Sequence, residues 1–287
     1  MANPIVADLG TGTMGGGMVR SLRREGIAVR MWNRDGAKAQ ALTETGAEAF
    51  DSPAEAAQGA DAVLTMVFDA DAAIDVIRQA APSEGTVWLQ CTTVGVAGAD
   101  RTVEVARELG LVLVDAPVLG TRQPAEDGKL TVLASGPEDV RNRVAPVFDA
   151  IGSRTLWVGE AGRGSRLKMA GNAWLLMVTA GTAQSIALAR GLGVDPPDFL
   201  AAIEGGPMDT PYAHVKGANM MKGEYPVSFG LTGATKDARL IREALRSAGV
   251  SDRLDAAVLA TMEAAIERLP DPGAADLSAM FEGLAAS

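Results

Sequence analysis

One histidine and one cysteine are all that 287 residues carry of the two most versatile ligand and nucleophile types. A structural zinc site takes about four N/S ligands, and only His214 and Cys91 are on offer. A disulfide within the chain is excluded, and with it the usual mark of an oxidising compartment. A Ser-His-Asp or Cys-His pair would have to use His214; otherwise proton transfer falls to Lys, Tyr, Asp or Glu. Positive charge is also scarce. The 26 Lys+Arg against 36 Asp+Glu leave a net charge of −10, the wrong sign for a broad nucleic-acid surface. No run reaches the ~18 apolar residues of a membrane span. The opening stretch MANPIVADLG has no basic region followed by a long apolar run, so neither a signal peptide nor a transit peptide is expected. The expectation is a cytoplasmic protein with no metal.

What is present is a composition of 47 % hydrophobic and 22 % charged residues, that of a globular chain. Its length suits one large domain or two ordinary ones. Short apolar runs at 5–9, 27–32, 62–67, 86–90 and 111–116 alternate with helical spacing at 14–25, 38–45, 71–80 and 100–109. That rhythm predicts βαβ units and a parallel sheet. The segments 130–135, 138–150 and 155–158 continue it. From 165 to 190 there is no proline and Leu, Met and Ala dominate, which predicts one long helix with a candidate interruption at Gly181. Helix-sized segments follow at 197–204, 230–248, 253–268 and 275–284, with almost no strand signal. The reading is α/β: a dinucleotide-binding domain over 1–160 and an all-α domain over 161–287.

Gly10-Thr11-Gly12-Thr13-Met14-Gly15 fits G-x-G-x-x-G between a strand and a helix, the context that gives the motif meaning. The first glycine permits the tight turn, the second lets a pyrophosphate reach the backbone, and the third lets helix and strand pack closely. The helix N-terminus then offers N–H groups and a positive dipole end. About 20 residues on, an acid would grip a free ribose 2′-OH. Here stand neutral Asn33 and cationic Arg34. A guanidinium binds phosphate through two parallel bonds, so NADP(H) is preferred over NAD(H), with Lys38 as a second cation. Asp35 is either the N-cap of the next helix or a ribose ligand.

Four segments in order resemble the β-hydroxyacid dehydrogenase family, the group of 3-hydroxyisobutyrate dehydrogenases, tartronate semialdehyde reductases and glyoxylate/succinic semialdehyde reductases. They are 9–17 with Met14; Asp115-Ala116-Pro117-Val118-Leu119-Gly120-Thr121, similar to D-A-P-V-S-G-G; 162–172, similar to G-x-G-x-x-x-K-x-x-x-N; and Phe229 with Lys236-Asp237, similar to a late K-D pair. The resemblance covers almost the whole chain. It implies an N-terminal Rossmann domain, a long interdomain helix and a helical C-terminal domain. It also implies Thr93 near the nicotinamide ribose, Val67 near the nicotinamide, and Lys236 on the cofactor and substrate side. The 6-phosphogluconate dehydrogenases resemble the third segment but are longer and carry a His where Gly171 stands.

Lys168 and Asn172 are i and i+4 on one helix face. Apolar surroundings (Trp174, Leu175, Leu176) predict a desolvated lysine, and desolvation lowers an ammonium pKa toward working pH. By resemblance Lys168 is the general acid that protonates the developing alkoxide, with Asn172 orienting the substrate; hydroxyacid oxidation is the reverse. The substrate loop departs from the family at Leu119, where a Ser hydroxyl is lost. Gly120 and Thr121 still offer N–H groups and Arg122 a charge. The following Gln123–Gly128 stretch is most similar to the glyoxylate/succinic semialdehyde reductases. Trp174, Met208 and Tyr212 are either core residues or an apolar substrate wall. His214 reads as a structural residue, and Cys91 as a small buried apolar one. Two alternatives remain: an NADPH-dependent imine reductase, which Leu119 favours and Lys168 opposes, and a non-catalytic NADP-binding interaction module, which the retained lysine opposes. The apolar faces of the helices from 165 onward predict a homodimer or a higher homo-oligomer. The remaining partner is a small carbonyl substrate, with no nucleic acid and no membrane.

Overall fold

The computed structural model describes residues 3–284. Met1 and Ala2, at the start of the stretch expected to carry no leader, and residues 285–287, at the end of the expected helical domain, lie outside the described residues. The order is β1 (Ile5–Leu9), α1 (Thr13–Arg24), β2 (Ala28–Trp32), α2 (Gly36–Gln40), β3 (Glu48–Ala49), α3 (Pro53–Ala57), β4 (Ala62–Thr65), α4 (Ala70–Ala80), β5 (Val87–Gln90), α5 (Gly95–Glu108), β6 (Val112–Asp115), β7 (Val118–Leu119), α6 (Arg122–Asp127), β8 (Leu130–Ala134), α7 (Arg141–Ile151), β9 (Gly152–Trp157), α8 (Arg163–Gly191), α9 (Pro196–Ile203), α10 (Pro211–Lys222), α11 (Leu231–Ser247) and α12 (Arg253–Arg268). Two compact units divide after Lys168, inside α8.

The first unit is built on a parallel sheet of order β3-β2-β1-β4-β5-β6. Its central strands β1, β4 and β5 are almost wholly buried on both faces, as a parallel sheet covered by helices requires. Val6 joins Met18, Leu22, Leu64, Leu89 and Phe148 on one side; Ala7 and Leu9 join Ile77, Trp88 and Leu113 on the other. The strand order reverses between β1 and β4, and a sheet of this kind binds ligands at that switch point, beyond the carboxyl ends of its strands.

Residues 130–158 do not extend this sheet, contrary to the sequence rhythm. β7, β8 and β9 form a second sheet, with β7 antiparallel to β8 and β8 parallel to β9. The chain returns from β7 to β8 through the one short helix α6, whereas α7 supplies the longer crossover that a parallel pair needs. The helix expected over 38–45 stops at Gln40 and resumes as a 3-10 turn, Thr43–Thr45, whose hydroxyls bond back to Gln40 O and Leu42 O. α3 was not expected from the periodicity, and its local signal is a capping box of Ser52 and Glu55 around Pro53. The stretch expected as a helix over 275–284 is a 3-10 helix, Leu277–Leu284.

The second unit is helical. α8 runs 29 residues without a break at Gly181. A lone glycine costs a helix about 1 kcal/mol, and Thr179 and Thr182 on either side bond back to Leu175 O and Val178 O. A buried ion pair clips α10 to the segment before the last 3-10 helix: Lys216 Nζ lies 2.6 Å from Asp276 Oδ1. Asp276 also accepts from the backbone N–H groups of Ser228, Phe229 and Ser278. Burial alone would raise this carboxyl; Lys216 and these donors bring it down to about 2. A carboxylate satisfied so fully belongs to the fold, since removing one partner of such a pair strands a buried charge.

One carboxyl of the first unit contradicts its surroundings, as Asp255 does in the second. Asp8, on β1, is fully buried, and neither carboxylate oxygen has a hydrogen-bond partner. Burial pushes its pKa up to about 8. The folded protein therefore holds a proton on Asp8 that the unfolded chain releases above its ordinary pKa of 3.8. The associated stability is complete below pH ~4 and declines as pH rises to about 8, by up to ~1.4 kcal/mol per pH unit. Asp8→Asn, neutral throughout, removes this dependence. Urea unfolding of both proteins at pH 5, 7 and 9 tests it: the stability difference moves in favour of Asp8→Asn with rising pH, and a constant difference refutes the assignment.

Candidate active site

The glycine loop leaves β1 at the switch point. Gly10 has φ +127°, and a Cβ there would lie 2.3 Å from Met66 O. At Gly15 a Cβ would lie 2.0 Å from Gly10 O, so α1 could not approach β1 as it does. Around Gly12 nothing lies within 4 Å of a Cβ position, which leaves that side of the backbone open. Gly12 is the N-cap of α1 and supplies no side-chain cap, nor does the first turn hold an acidic residue. The helix N–H groups are thus left to an anion. Thr11 Oγ1 is buried without a partner, while Thr13 is exposed and Met14 half-buried. An open backbone side, uncapped amides and an orphaned hydroxyl fit a dinucleotide pyrophosphate held by Gly10–Gly15.

Asn33 and Arg34 follow β2. Asn33 Nδ2 donates to Asp35 O at 3.0 Å, which fixes a local turn. Arg34 is exposed. Asp35 stands at the N-cap of α2 but makes no side-chain cap bond, and its carboxylate pairs loosely with Lys38 at 3.8 Å. The Lys38 charge is therefore partly engaged, and Arg34 is the principal cation at this strand end.

Val67 follows β4, and its N–H donates to Thr92 Oγ1 at 3.0 Å. Thr92 is in turn clasped by Gln90, whose Oε1 accepts from Thr92 N and whose Nε2 donates to Thr92 O. This buried clasp sets the loop ends on which Val67 and the half-buried Thr93 sit. Sequence reasoning singled out Thr93 and missed Thr92 and Gln90; a buried glutamine ending an otherwise apolar strand was the available signal. Burial, with Asp8 and Asp115 adding to it, pushes the Cys91 thiol up, so Cys91 is an inert core residue.

The start of α8 is tied to the end of β6. Asp115 Oδ2 accepts from Ser165 N at 2.8 Å, and Oδ1 from Ser165 Oγ at 2.6 Å. Ser135 Oγ donates to Asp115 and accepts from Gly164 N at 2.9 Å. An external carboxylate thus caps the helix. A Cβ on Gly164 would lie 2.2 Å from Leu133 O, so only glycine allows this approach. One turn further, Lys168 is buried, 7 % exposed, and its Nζ donates to Val118 O at 2.7 Å. Val118 begins β7, within the segment similar to the family's substrate loop. The candidate acid and that loop are thereby joined directly.

In the loop itself, Arg122 has a partner of its own. It opens α6, and its Nε is paired with Glu126 Oε1 at 3.0 Å, an i,i+4 ion pair. Leu119 is half-buried and in register with Thr131. Gly120 follows at φ +129°, and Thr121 is the N-cap of α6 with its hydroxyl making no cap bond.

In the second unit, Asn172 on α8 is 1 % exposed and donates through Nδ2 to Asp237 Oδ2 on α11 at 2.6 Å. Its Oδ1 is buried without a partner. Lys236 Nζ lies 2.9 Å from Asp237 Oδ1. The K-D pair of the sequence is therefore also an Asn-Asp pair, which spacing alone did not show. Trp174 and Met208 are 69 % and 72 % exposed and belong to no core. Tyr212 is largely buried, with Lys216 Nζ 5.1 Å from its ring centroid. His214 Nε2 lies 2.7 Å from Asp209 Oδ1, whose partner oxygen accepts from Gly205 N; it fastens a turn ahead of α10. Among the described residues no three His, Cys, Asp or Glu are grouped to hold a metal, and no helix is long and apolar enough to cross a membrane.

Comparison with known proteins accords with this geometry. Residues 6–159 match the family described as the NAD binding domain of 6-phosphogluconate dehydrogenase, and 162–284 that described as NAD-binding of NADP-dependent 3-hydroxyisobutyrate dehydrogenase. Glyoxylate/succinic semialdehyde reductase 1 of Arabidopsis thaliana is 30 % identical over 82 % of this chain and 83 % of its own length. The chloroplastic reductase 2 of the same plant is 32 % identical over 81 % of this chain and 66 % of its own length, so the chain spans just under two thirds of that relative. In fold, the Mycobacterium tuberculosis 3-hydroxyisobutyrate dehydrogenase solved with L-serine covers 99 % of the chain at a TM-score of 0.87 and 23 % identity. An imine reductase from Pseudomonas sp. also covers 99 % but at a TM-score of 0.66 and 20 % identity. The chain belongs to the β-hydroxyacid dehydrogenase family of NAD(P)-dependent oxidoreductases.

Proposed function

We propose that the protein is an NADPH-dependent reductase of the carbonyl group of a small aldehyde or keto/semialdehyde acid, with oxidation of the matching hydroxyacid as its reverse. The observation that carries this reading is Lys168, buried one turn into α8 with its ammonium held on Val118 O. When bound, the dinucleotide supplies hydride exchange at the carbonyl carbon. Lys168 delivers a proton to the oxygen on which charge develops, and in the reverse direction the neutral amine accepts it. The Val118 carbonyl fixes where the ammonium points, so proton delivery needs no search by a flexible side chain. Backbone N–H groups of Gly120 and Thr121, with the Thr121 hydroxyl, hold a substrate carboxylate, and Arg122, paired with Glu126 on the exposed face of α6, adds charge beside them. Leu119 replaces a donor with an apolar contact and favours substrates with an apolar segment there. Thr93, Val67 and Lys236 complete the cofactor side of the reading, and Asn172 the substrate side. Lys168→Ala lowers kcat by roughly 10²–10⁴-fold and leaves the dinucleotide Kd, followed by fluorescence titration, unchanged. Full turnover in this variant refutes the mechanism.

The NADP(H) preference rests on Arg34, exposed beyond β2 beside neutral Asn33. A charge-assisted bond to a 2′-phosphate contributes about 1.5–3 kcal/mol. Arg34→Ala therefore raises the NADPH KM by at least ~10-fold and leaves that for NADH unchanged. An unaltered NADPH/NADH ratio removes Arg34 from the assignment.

A homodimer belongs to the same reading. Leu167, Trp174 and Leu188 lie seven and then fourteen residues apart along α8, with Gly181 at the step between, all exposed, with Leu192 one turn beyond. Such a stripe on a helix matches a second copy of itself. Light scattering is expected to give twice the mass of one 29.6 kDa chain; a monomer across micromolar concentrations contradicts it.

A further inference from the structure

We infer that the dinucleotide and a proton on Asp8 bind together: the glycine loop takes the pyrophosphate while Asp8 is neutral, and an ionised Asp8 weakens the cofactor's hold. Nothing in this depends on the substrate or on Lys168. Asp8 stands on β1 two residues before Gly10, fully buried, with neither carboxylate oxygen partnered. Side chains alternate along a strand, so Asp8 shares the face of Val6, which packs with Met18 and Leu22 of α1. A Cβ on Gly15 would stand 3.5 Å from Asp8 Oδ1. Glycine leaves that place empty, and the carboxyl lies under the first turn of α1. That turn has no side-chain cap and no acidic residue. Its N–H groups and positive dipole end are what the loop offers an anion.

An ionised carboxylate at that place draws on the same positive end as the pyrophosphate and repels the pyrophosphate as well. Both charges lie well within one screening length, so salt does little to separate them. The coupling is reciprocal: what the proton on Asp8 does for the cofactor, the cofactor does for the proton. Burial lifts the free Asp8 carboxyl to about 8, and a bound dinucleotide lifts it further. Below pH 8 Asp8 is neutral in both states, and the cofactor Kd is flat. Above pH 8 the free protein has lost the proton and must regain it on binding, so Kd rises by up to about tenfold per pH unit. The neighbours leave Asp8 as the group that titrates here. Its register partners on β2 and β4, Met31 and Leu64, are apolar. α1 carries Arg23 and Arg24 in its last turn, far from the loop. α3 packs on the opposite face, with Glu55 held in its capping box. Cys91, which senses both Asp8 and Asp115, is a thiol that burial pushes up. Asp115 is bound by Ser165 and Ser135.

The test is NADPH Kd by fluorescence titration from pH 7 to 9.5, a range in which the 2′-phosphate, with a second pKa near 6, keeps a constant charge. Circular dichroism at each pH keeps unfolding out of the reading. Wild-type Kd is expected to rise about tenfold between pH 7 and pH 9, and that of Asp8→Asn to change less than twofold. Calorimetry in two buffers of different ionisation enthalpy is expected to show close to one proton taken up per NADPH at pH 9 in the wild type, and none at pH 7 or in the variant. Asp8→Ala, also neutral, carries the same expectation and replaces Asp8→Asn if that variant does not fold. Parallel rises in Kd in wild type and variant, or equal proton uptake in both, assign the linkage to another group and overturn the proposal. A flat wild-type Kd with no proton uptake at pH 9 overturns it as well.

Discussion

The site depends on a carboxylate at the end of a strand. Asp115 closes β6 and accepts from both the backbone and the hydroxyl of Ser165, so the long helix α8 begins at a fixed point and with a fixed rotation. A helix advances 100° and 1.5 Å per residue, so fixing residue 165 fixes the direction of residue 168. The Val118 carbonyl then takes the Lys168 ammonium. Burial raises the Asp115 carboxyl above its ordinary range while the Ser165 and Ser135 hydrogen bonds work against that rise. Its partners are a helix N-terminus and two hydroxyls, and charge-assisted bonds of this kind are roughly twice as strong as neutral ones.

The other buried carboxyls show how differently the same group can be used. Asp276 has a lysine and three backbone donors and is held low. Asp237 has an asparagine amide and a lysine, and it orders them. Asp8 has nothing and is neutral over the lower pH range. The net charge of −10 is therefore no guide to the local field. Beneath the glycine loop an unpaired acid is silent when protonated, while the loop itself offers uncapped helix amides to an anion. An acidic protein can hold a phosphate-rich cofactor because oriented N–H groups and a cation such as Arg34 act at short range, within a screening length of ~8–10 Å.

Much of this was legible in the chain. Three glycines at fixed spacing after an apolar run specified a strand, a tight turn and a helix, because at Gly10 and Gly15 a side chain would occupy space already taken by Met66 and Gly10 carbonyls. The absence of proline from 165 to 190 and its Leu/Met/Ala content specified one uninterrupted helix. The i,i+4 relation of Lys168 and Asn172 followed from helix geometry alone. Other signals were local yet went unread, such as the Ser52–Glu55 capping box.

What the sequence left open was set by contacts between residues far apart along it. The second sheet was not legible, because whether β8 joins β6 or pairs with β7 and β9 is a choice among strands of equal apolar character. Arg122 stands in the chain as a lone charge in the loop, and only the fold shows it paired with Glu126 on the exposed face of α6. Lys236-Asp237 read as a pair, and only the fold set Asp237 against an amide 65 positions earlier. Sequence by itself determined periodicity, turn chemistry and the inventory of groups able to carry a proton, because these depend on neighbours within a turn or a strand. Tertiary structure decided which of those groups are held, which are paired away and which acid is left without a partner, because hydrogen bonds and desolvation depend on what the folded chain brings within 3 Å.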